Sequence, residues 1–292
     1  MSEGENQWTV VTGSTGGIGR EIATILVRQE RDLILVNRSS HEAALQRDQL
    51  LAEGRNRSIE LVTADFMDTR DILEAIRAIN ALPGRIDALY NVAGTLNSSK
   101  VLSAQGFESN FAINTLAPYQ LMRGLREKMA RPSSDVPAVI VNFASSSVTR
   151  QKTLDVTHLA NPKAVTGLMG TYGQVKLALT AFTAAVARDL QLDNILIRAV
   201  DPGATKTAMT TKNTSMPTLL RWLAPLLFGS ADKQAAKIVQ SADPSAFGGR
   251  SGIFVSNVKE QKVPVPATDP ELQRQLLVLL DHAIQTGMYE GN

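Results

Sequence analysis

The chain of 292 residues carries a formal net charge of +2, and 43% of its residues are hydrophobic, so it can bury a large core. It has no cysteine and only three scattered histidines, which excludes disulfides and thiol catalysis and argues against a metal site. Its basic residues form no dense patch and we find no signal peptide or membrane-spanning run, so we expect a cytoplasmic protein with no nucleic-acid partner and no membrane anchor.

Short apolar and β-branched runs recur along the chain and are typical of strands buried on both faces. They span Trp8–Thr12, Leu33–Asn37, Ile59–Ala64, Ala88–Val92, Ala138–Ala144, Leu196–Val200 and Gly252–Val255. Helical patterns occupy Ile18–Gln29, His41–Glu53, Thr69–Asn80, Phe107–Ala130, Tyr172–Leu190 and Pro270–Gln285. This alternation predicts a single α/β domain over residues 1–292, with a doubly wound parallel sheet of about seven strands and helices on both faces. Residues 263–292 form a C-terminal extension that begins with an extended segment, Val263–Asp269.

The first predicted strand runs into a glycine-rich turn that opens a helix, Thr12-Gly13-Ser14-Thr15-Gly16-Gly17-Ile18-Gly19. A helix N-terminus offers unpaired N–H groups and a positive dipole end to a pyrophosphate, and glycines let the backbone approach it. An ordinary tight connection is the alternative. The position directly after the first strand favours dinucleotide binding. The candidate cofactor contacts in this turn are Gly13, Ser14, Thr15, Gly17, Ile18 and Gly19.

The second strand ends in Asn37-Arg38-Ser39. An acidic residue there would accept the ribose hydroxyls of NAD, whereas a guanidinium can pair with the 2′-phosphate of NADP, and Ser39 can donate beside it. A surface arginine next to a serine helix cap is the alternative. The pattern favours NADP(H).

Two further strand ends supply candidate adenosine contacts. Asp65, which precedes Phe66, can accept from the adenine amino group or can cap the helix that starts near Thr69. In Asn91-Val92-Ala93-Gly94, Ala93 and Gly94 leave room for the adenosine, while Asn91 can pin neighbouring backbone.

Tyr172 and Lys176 stand four residues apart at the start of an apolar helix, so they share one helical face. A free phenol titrates near pH 10, and a neighbouring ammonium lowers that pKa toward the range of acid/base catalysis. Ser145, at the end of the fifth strand, can hydrogen-bond a substrate oxygen, although Ser146 and Ser147 follow it directly. Each feature alone has an ordinary structural alternative.

Together these motifs resemble the short-chain dehydrogenase/reductase family from about Trp8 to Val255. Thr12–Gly19 is similar to its T-G-x-x-x-G-x-G motif, and Asn91–Gly94 to its N-N-A-G with Val92 in place of the second Asn. Ser145, Tyr172 and Lys176 resemble its catalytic Ser and Y-x-x-x-K. The resemblance adds Asn114 as the fourth catalytic residue, and Pro202, Gly203, Thr205 and Thr207 near the nicotinamide.

The resemblance implies a Rossmann fold and hydride transfer between NADP(H) and a carbonyl carbon. Tyr172 would exchange the proton, Lys176 would lower its pKa and bind the nicotinamide ribose, and Ser145 would orient the carbonyl. Asn114 would hold a water that links Lys176 to solvent. The insertion Arg150–Met169 and the segment Ser251–Phe254 resemble the retinol-dehydrogenase-like and WW-domain-oxidoreductase-like branch, without its membrane anchor or WW module.

Residues 205–229 include a strongly apolar stretch, 216–228, which we expect to form a lid over an apolar ketone or aldehyde. Plain packing on the sheet and contact with a membrane surface are the alternatives.

The pattern leaves the activity and the assembly partly open. A catalytically silent NADP-binding sensor or scaffold, or a reductase of C=C or C=N bonds, are alternative functions. The helices Phe107–Ala130 and Tyr172–Leu190 often build a dimer interface in this family, so the resemblance allows a homodimer.

Overall fold

The structure, a computed structural model, describes residues 6–53, 58–203 and 230–289. Its sheet has the strand order β3-β2-β1-β4-β5-β6-β7-β8. The strands are β1 (Gln7–Thr12), β2 (Asp32–Asn37), β3 (Ile59–Thr63), β4 (Arg85–Asn91), β5 (Ala138–Phe143), β6 (Ile195–Asp201), β7 (Ile253–Ser256) and β8 (Lys259–Gln261). All pairings are parallel except that of β7 with β8. The predicted parallel α/β fold is confirmed.

Helices cover both faces of this sheet. They are α1 (Gly17–Arg28), α2 (Ser40–Glu53), α3 (Thr69–Ala81), α4 (Ser109–Phe111), α5 (Ala117–Met129), α6 (Tyr172–Leu192), α7 (Ala231–Ala242), α8 (Val265–Thr268) and α9 (Pro270–Tyr289). Successive strand residues point to opposite faces, so Val10 of β1 packs in one apolar cluster and Val11 in the other. Helices α1, α2 and α7 complete the Val11 side, and α3, α5, α6 and α9 the Val10 side. None of the helices in these ranges is long and apolar enough to cross a membrane.

The eighth strand, β8, was not predicted. Its sequence, Lys-Glu-Gln, has no apolar residue, and as an edge strand it buries little. The turn before it places Asn257 and Val258 at φ values of 50° and 57°, the region that two-residue hairpins need. Valine is unfavourable there, so the local sequence does not signal the hairpin.

Three helical predictions need correction. Helix α7 was missed, although it buries Ala235 and Ile238 against the α1 side of the sheet. The expected helix Phe107–Ala130 begins only at Ser109 and is interrupted by a π-helical turn at Ala112–Leu116. The segment Val263–Asp269, expected to be extended, contains α8. Helices α7 and α8 both pack against elements distant in sequence, which a local pattern does not show.

Candidate active site

The glycine turn between β1 and α1 fits closely against the loop that follows β4. Gly13 has φ 65°, and a Cβ atom there would lie 2.9 Å from the Cα of Ala93. A Cβ at Gly19 would lie 2.3 Å from the Gly13 carbonyl oxygen. Neither position accepts a side chain without moving backbone, so the glycines are needed for the turn itself.

The outer side of the turn is open. Gly16 is the N-cap of α1 and no side chain caps this helix end. Gly16 and Gly17 are exposed, and a Cβ built on Gly16 would meet nothing within 4 Å. Exposed N–H groups beside free space suit a pyrophosphate, so these residues fit a dinucleotide.

Three of the predicted cofactor contacts have side chains that face the protein interior. Ser14 is fully buried, Ile18 packs in the core with α1, and Asn37 is 4% exposed. Asn37 accepts a hydrogen bond from the Thr15 amide at 3.2 Å and donates to the Ser14 hydroxyl at 2.9 Å. Their side chains therefore shape the turn rather than line its open outer side.

Gln46 of α2 completes this brace and was not predicted. Its amide nitrogen donates to the Ser14 carbonyl at 2.7 Å, and its amide oxygen accepts from the Ser14 hydroxyl at 2.8 Å. Gln46 is 2% exposed, although it belongs to a largely polar helix. A buried polar residue in such a helix is recognisable only when its neighbours are known.

The residues that follow β2 and β3 are partly exposed at the surface and partly engaged in hydrogen bonds near the starts of the next helices. Arg38 is exposed, and the Ser39 hydroxyl accepts from the Glu42 amide at 3.2 Å at the start of α2. Asp65 accepts from the Met67 amide at 3.0 Å, while Phe66 packs in the core. The expectation that Asp65 could cap α3 is wrong, because Asp68 is the N-cap and accepts from the Arg70 amide.

The loop after β4 is held differently from the prediction. Asn91 does not pin backbone: its amide donates to the Asn142 side chain at 2.8 Å, and Asn142 donates to Thr183 of α6. The backbone contact is made by Thr12, whose hydroxyl accepts from the amides of Val92 and Ala93, each at 3.0 Å. These bonds tie β1, β4, β5 and α6 together below the site.

Tyr172 and Lys176 lie where α6 passes the carboxyl end of β5. Lys176 is 4% exposed, and its Nζ donates to the Phe143 carbonyl at 2.6 Å. The same Nζ lies 5.7 Å from the centroid of the Tyr172 ring. The Ser145 side chain interacts with the Tyr172 phenol and lowers its pKa, whereas Ser146 is exposed and Ser147 is buried. Among the three serines, this contact singles out Ser145.

Burial dominates the ionisation of this pair. It raises the pKa of Tyr172 well above its usual range, the Asp201 carboxylate raises that pKa further, and the Ser145 side chain lowers it. Burial also lowers the pKa of Lys176 to about 7, against the opposing effect of Asp201. The expected lowering of the Tyr172 pKa by Lys176 is therefore not found in the protein alone, where burial raises this pKa.

Asn114 lies in the π-helical turn between α4 and α5. Its side-chain nitrogen donates to the carbonyls of Asn110 and Thr95, both at 2.9 Å, and its oxygen accepts from the Thr95 amide at 3.2 Å. A Cβ on Gly94 would lie 2.9 Å from the Asn114 oxygen and 3.8 Å from Lys176 Nζ. Gly94 thus lies between the side chains of Asn114 and Lys176. Asn114 reaches this glycine from the π-helical turn.

A buried carboxylate supports Asn114 and was missed from the sequence. Glu108 is fully buried and is the N-cap of α4. It accepts hydrogen bonds from the Asn110 amide and side chain at 2.9 and 2.8 Å, from the Ser109 hydroxyl at 2.9 Å and from the Phe111 amide at 3.3 Å. The available signal was the spacing of Asn110 and Asn114, four residues apart on one helical face.

The insertion before Tyr172 is anchored by two glutamines. Gln174 donates to Gln151 at 2.7 Å, and Gln151 donates to the Met169 carbonyl at 2.9 Å. The side chains of Leu168 and Met169, four and three residues before Tyr172, remain 47% and 45% exposed. An exposed apolar pair therefore lies close in sequence to the candidate acid/base residue.

The segment after β6 is described only at its start. The Gly203 amide donates to the Asp201 carboxylate at 3.0 Å, and Gly203 adopts φ 75°. Pro202 and Gly203 are half-buried at the carboxyl end of the sheet. Thr205, Thr207 and the predicted lid, residues 205–229, lie outside the described residues.

The strand order and the glycine turn define a Rossmann-type α/β protein, with Ser145, Tyr172 and Lys176 at the carboxyl ends of its strands. The profile of the short chain dehydrogenase family matches residues 7–218. The chain belongs to this family of oxidoreductases, which use nicotinamide cofactors, as the resemblance predicted.

Similar proteins point to the predicted branch of the family. Human retinol dehydrogenase 13 is 27% identical over 274 residues, covering 91% of this chain and 81% of the relative. The WW domain-containing oxidoreductase of Gallus gallus is 28% identical over 254 residues, covering 85% of this chain and 61% of the relative. In structure, the Pseudomonas aeruginosa RhlG/NADP active-site complex matches with a TM-score of 0.69 at 22% identity, covering 86% of this chain and 94% of that one.

Proposed function

We propose that this chain is an NADP(H)-dependent oxidoreductase that reduces the carbonyl of an apolar ketone or aldehyde, with Tyr172 as the proton donor. One observation carries the proposal: the hydroxyl of Ser145, the phenol of Tyr172 and the ammonium of Lys176 converge beyond the end of β5. Asn114 stands next to them across Gly94. A protein that only sensed a dinucleotide would not need this set.

The glycine turn would hold the cofactor, with its pyrophosphate at the uncapped start of α1 and its 2′-phosphate toward Arg38 and Ser39. At the end of β2 stands Asn37, whose side chain is hydrogen-bonded to the glycine turn. This position therefore holds no carboxylate that would bind the ribose hydroxyls of NAD or repel a 2′-phosphate. Asp65, Ala93, Gly94, Pro202 and Gly203 would line the rest of the cofactor site. Bound there, the nicotinamide supplies the hydride.

Tyr172 would donate its proton to the carbonyl oxygen as that oxygen gains negative charge. Its raised pKa suits this direction, because burial keeps the phenol protonated until a developing alkoxide can accept the proton. Ser145 would hydrogen-bond the same oxygen and orient it. The reaction consumes one hydride, at the carbonyl carbon, and one proton, at its oxygen.

Lys176 would restore the proton that Tyr172 loses. A pKa of about 7 lets it accept and release a proton near neutral pH. Its hydrogen bond to Phe143 fixes the ammonium one helical turn from the phenol. Asn114, beside Gly94, would position the water through which Lys176 exchanges protons with solvent.

The substrate would be apolar, since Leu168 and Met169, four and three residues before Tyr172, present exposed apolar side chains. Several relatives are named for retinol, a long apolar alcohol, which supports the same chemical class.

The test is a screen of NADPH oxidation with apolar aldehydes and ketones, retinal-like aldehydes included, run in parallel on the wild type and Ser145→Ala. We expect turnover with at least one apolar carbonyl compound and a loss of about 100-fold in Ser145→Ala, the cost of removing one donor to the reacting oxygen. NADPH binding with no turnover of any carbonyl compound would instead favour a dinucleotide sensor. Turnover restricted to C=C or C=N substrates would identify the protein as a reductase of those bonds.

A further inference from the structure

A cavity of about 570 Å³ lies between the sheet and the helices α1 and α7. It is found toward the amino ends of the strands, because its lining includes Gln7 of β1, Arg85 of β4 and Pro137 just before β5. None of the residues assigned above to the cofactor or to acid/base catalysis lines it. Its volume lies in the range that is usual for a small-molecule site.

Small side chains leave the space for this cavity. Thr9, Ala88 and Val139 are paired neighbours on β1, β4 and β5, and all three line the cavity. Ala236 and Ala242 line it from α7. Because protein interiors are otherwise closely packed, a row of short side chains under two helices leaves a volume that longer ones would fill.

Two buried hydroxyl groups in the lining have no hydrogen-bond partner. Tyr90 is 3% exposed and Thr9 is 2% exposed, and in the ranges that the structure describes neither hydroxyl forms a hydrogen bond. By contrast, the buried hydroxyls of Thr115 and Thr183 are bonded at 2.8 and 2.7 Å. Burial raises the pKa of Tyr90 well above its usual range, so the phenol stays a donor. A buried donor without a partner favours a ligand that presents an acceptor oxygen.

Arg31 supplies a cation to the same cavity. Its contact with Asp87 is long, at 3.4 Å, whereas Arg131 holds that carboxylate at 2.8 Å. Two guanidinium groups therefore share one carboxylate, and Arg31 keeps donors for another acceptor. The carboxylate of Asp243, which also lines the cavity, lies in the field of the buried Arg198, which donates to the Asp243 carbonyl at 2.7 Å.

We propose that this cavity binds a small carboxylate with an apolar body. The carboxylate would accept hydrogen bonds from the Tyr90 phenol and from Arg31, whose positive charge acts on that phenol. One negative charge matches the one guanidinium that is left over, whereas a phosphate monoester would bring nearly two. The apolar body would lie against the aliphatic side chains of the lining, which are Ile25, Leu26, Val139 and Val239. The site is independent of the proposed oxidoreductase function.

The experiment measures, by isothermal titration calorimetry, the dissociation constants of octanoate and of octanamide, its neutral amide. The proteins are the wild type, Tyr90→Phe and Arg31→Gln. Both variants should fold, because the Tyr90 hydroxyl has no partner to lose and the Arg31 side chain is 49% exposed. We expect the wild type to bind octanoate more tightly than octanamide. Each variant should raise the dissociation constant of octanoate about 10-fold, the usual loss for one hydrogen bond to a charged group.

The matched controls make the same substitutions outside the cavity. Tyr119→Phe removes a phenol that donates to Asp281, and Arg28→Gln removes a cation of α1 that pairs with Glu53. Both controls should leave the dissociation constant of octanoate unchanged.

Three results would overturn the proposal. If either Tyr90→Phe or Arg31→Gln leaves the affinity for octanoate unchanged, octanoate binds elsewhere, for example at the substrate site beside Tyr172. Equal affinities of the wild type for octanoate and octanamide would contradict a carboxylate ligand. Absence of octanoate binding at about 1 mM would contradict the site itself.

Discussion

Lys176 on α6 donates a hydrogen bond of 2.6 Å to the carbonyl oxygen of Phe143, the last residue of β5. The bond fixes the ammonium beside Tyr172 and Ser145, at a point where the side chain is almost fully buried. Because burial disfavours the charged form, the position of Lys176 determines its proton affinity as well as its geometry.

The first prediction concerns the pH dependence of stability. Burial lowers the pKa of Lys176 from 10.5 to about 7 in the folded protein. From about pH 7 upward the unfolded chain therefore binds more protons at this residue than the folded chain, so this residue makes the free energy of unfolding rise with pH. In urea unfolding, the wild type should gain stability relative to Lys176→Met between about pH 6.5 and about pH 9. A stability difference that stays constant, or that falls over this window, would show that Lys176 keeps an ordinary pKa.

A second prediction concerns Gln46, which braces the glycine turn through Ser14. Gln46→Leu removes both hydrogen bonds and leaves buried polar groups of Ser14 unpaired, so the turn should shift and the protein should lose stability. We expect the dissociation constants of NADPH and NADH to rise by a similar factor of about 10.

The matched control for Gln46 is Gln273→Leu, the same substitution in α9, where Gln273 donates to the Ala267 carbonyl. It should lower the melting temperature and leave both dissociation constants unchanged. A selective loss of NADPH affinity in Gln46→Leu would contradict a purely bracing role.

A third prediction concerns Glu108, which holds Asn114 in place through Asn110. Glu108→Gln replaces one acceptor oxygen by an amide nitrogen that faces donors, so the array should rearrange. The losses of kcat/KM caused by Glu108→Gln and by Asn114→Ala should not add. The double variant should have a kcat/KM close to that of the less active single variant. Asp269→Asn, at the N-cap of α9, is a control that should combine additively with Asn114→Ala. Additive losses for Glu108→Gln and Asn114→Ala would mean that Glu108 does not act through Asn114.

Part of the site could not be predicted from the sequence, as Gln46, Glu108 and Thr12 show. Each acts through a partner that the fold brings near: Ser14 for Gln46, Asn114 by way of Asn110 for Glu108, and the loop after β4 for Thr12. Their local patterns are those of an ordinary polar helix residue, a helix cap and a strand residue. Only the tertiary structure shows that they support the site.

The parts that could be predicted have local causes. The parallel strands follow from continuous apolar runs, and the glycine turn from spacing that admits no side chain at Gly13. Tyr172 and Lys176 share a face because of helix periodicity alone. The pKa of Tyr172 could not be predicted, because the burial that raises it depends on residues brought together by the whole fold.

A fourth prediction concerns the oligomeric state. Helix α9 packs against α6 and bonds to α5, the two helices that the family resemblance suggested as a dimer interface. Asp281 of α9 accepts hydrogen bonds from Tyr119 and Arg123 of α5, and Leu276 and Leu280 are fully buried in the shared core. We therefore expect no dimer through this face, and light scattering should give the mass of one chain. A dimer with cross-links between α5 helices would contradict this expectation.

The central claim, that Tyr172 transfers the proton, is tested most directly by Tyr172→Phe. The substitution removes the phenol oxygen and keeps the ring that packs beside Lys176. With an apolar carbonyl substrate found in the screen, single-turnover oxidation of NADPH should fall by a factor of at least about 100, while the dissociation constant of NADPH stays within about threefold of the wild type. Turnover at the wild-type rate in Tyr172→Phe would contradict the account.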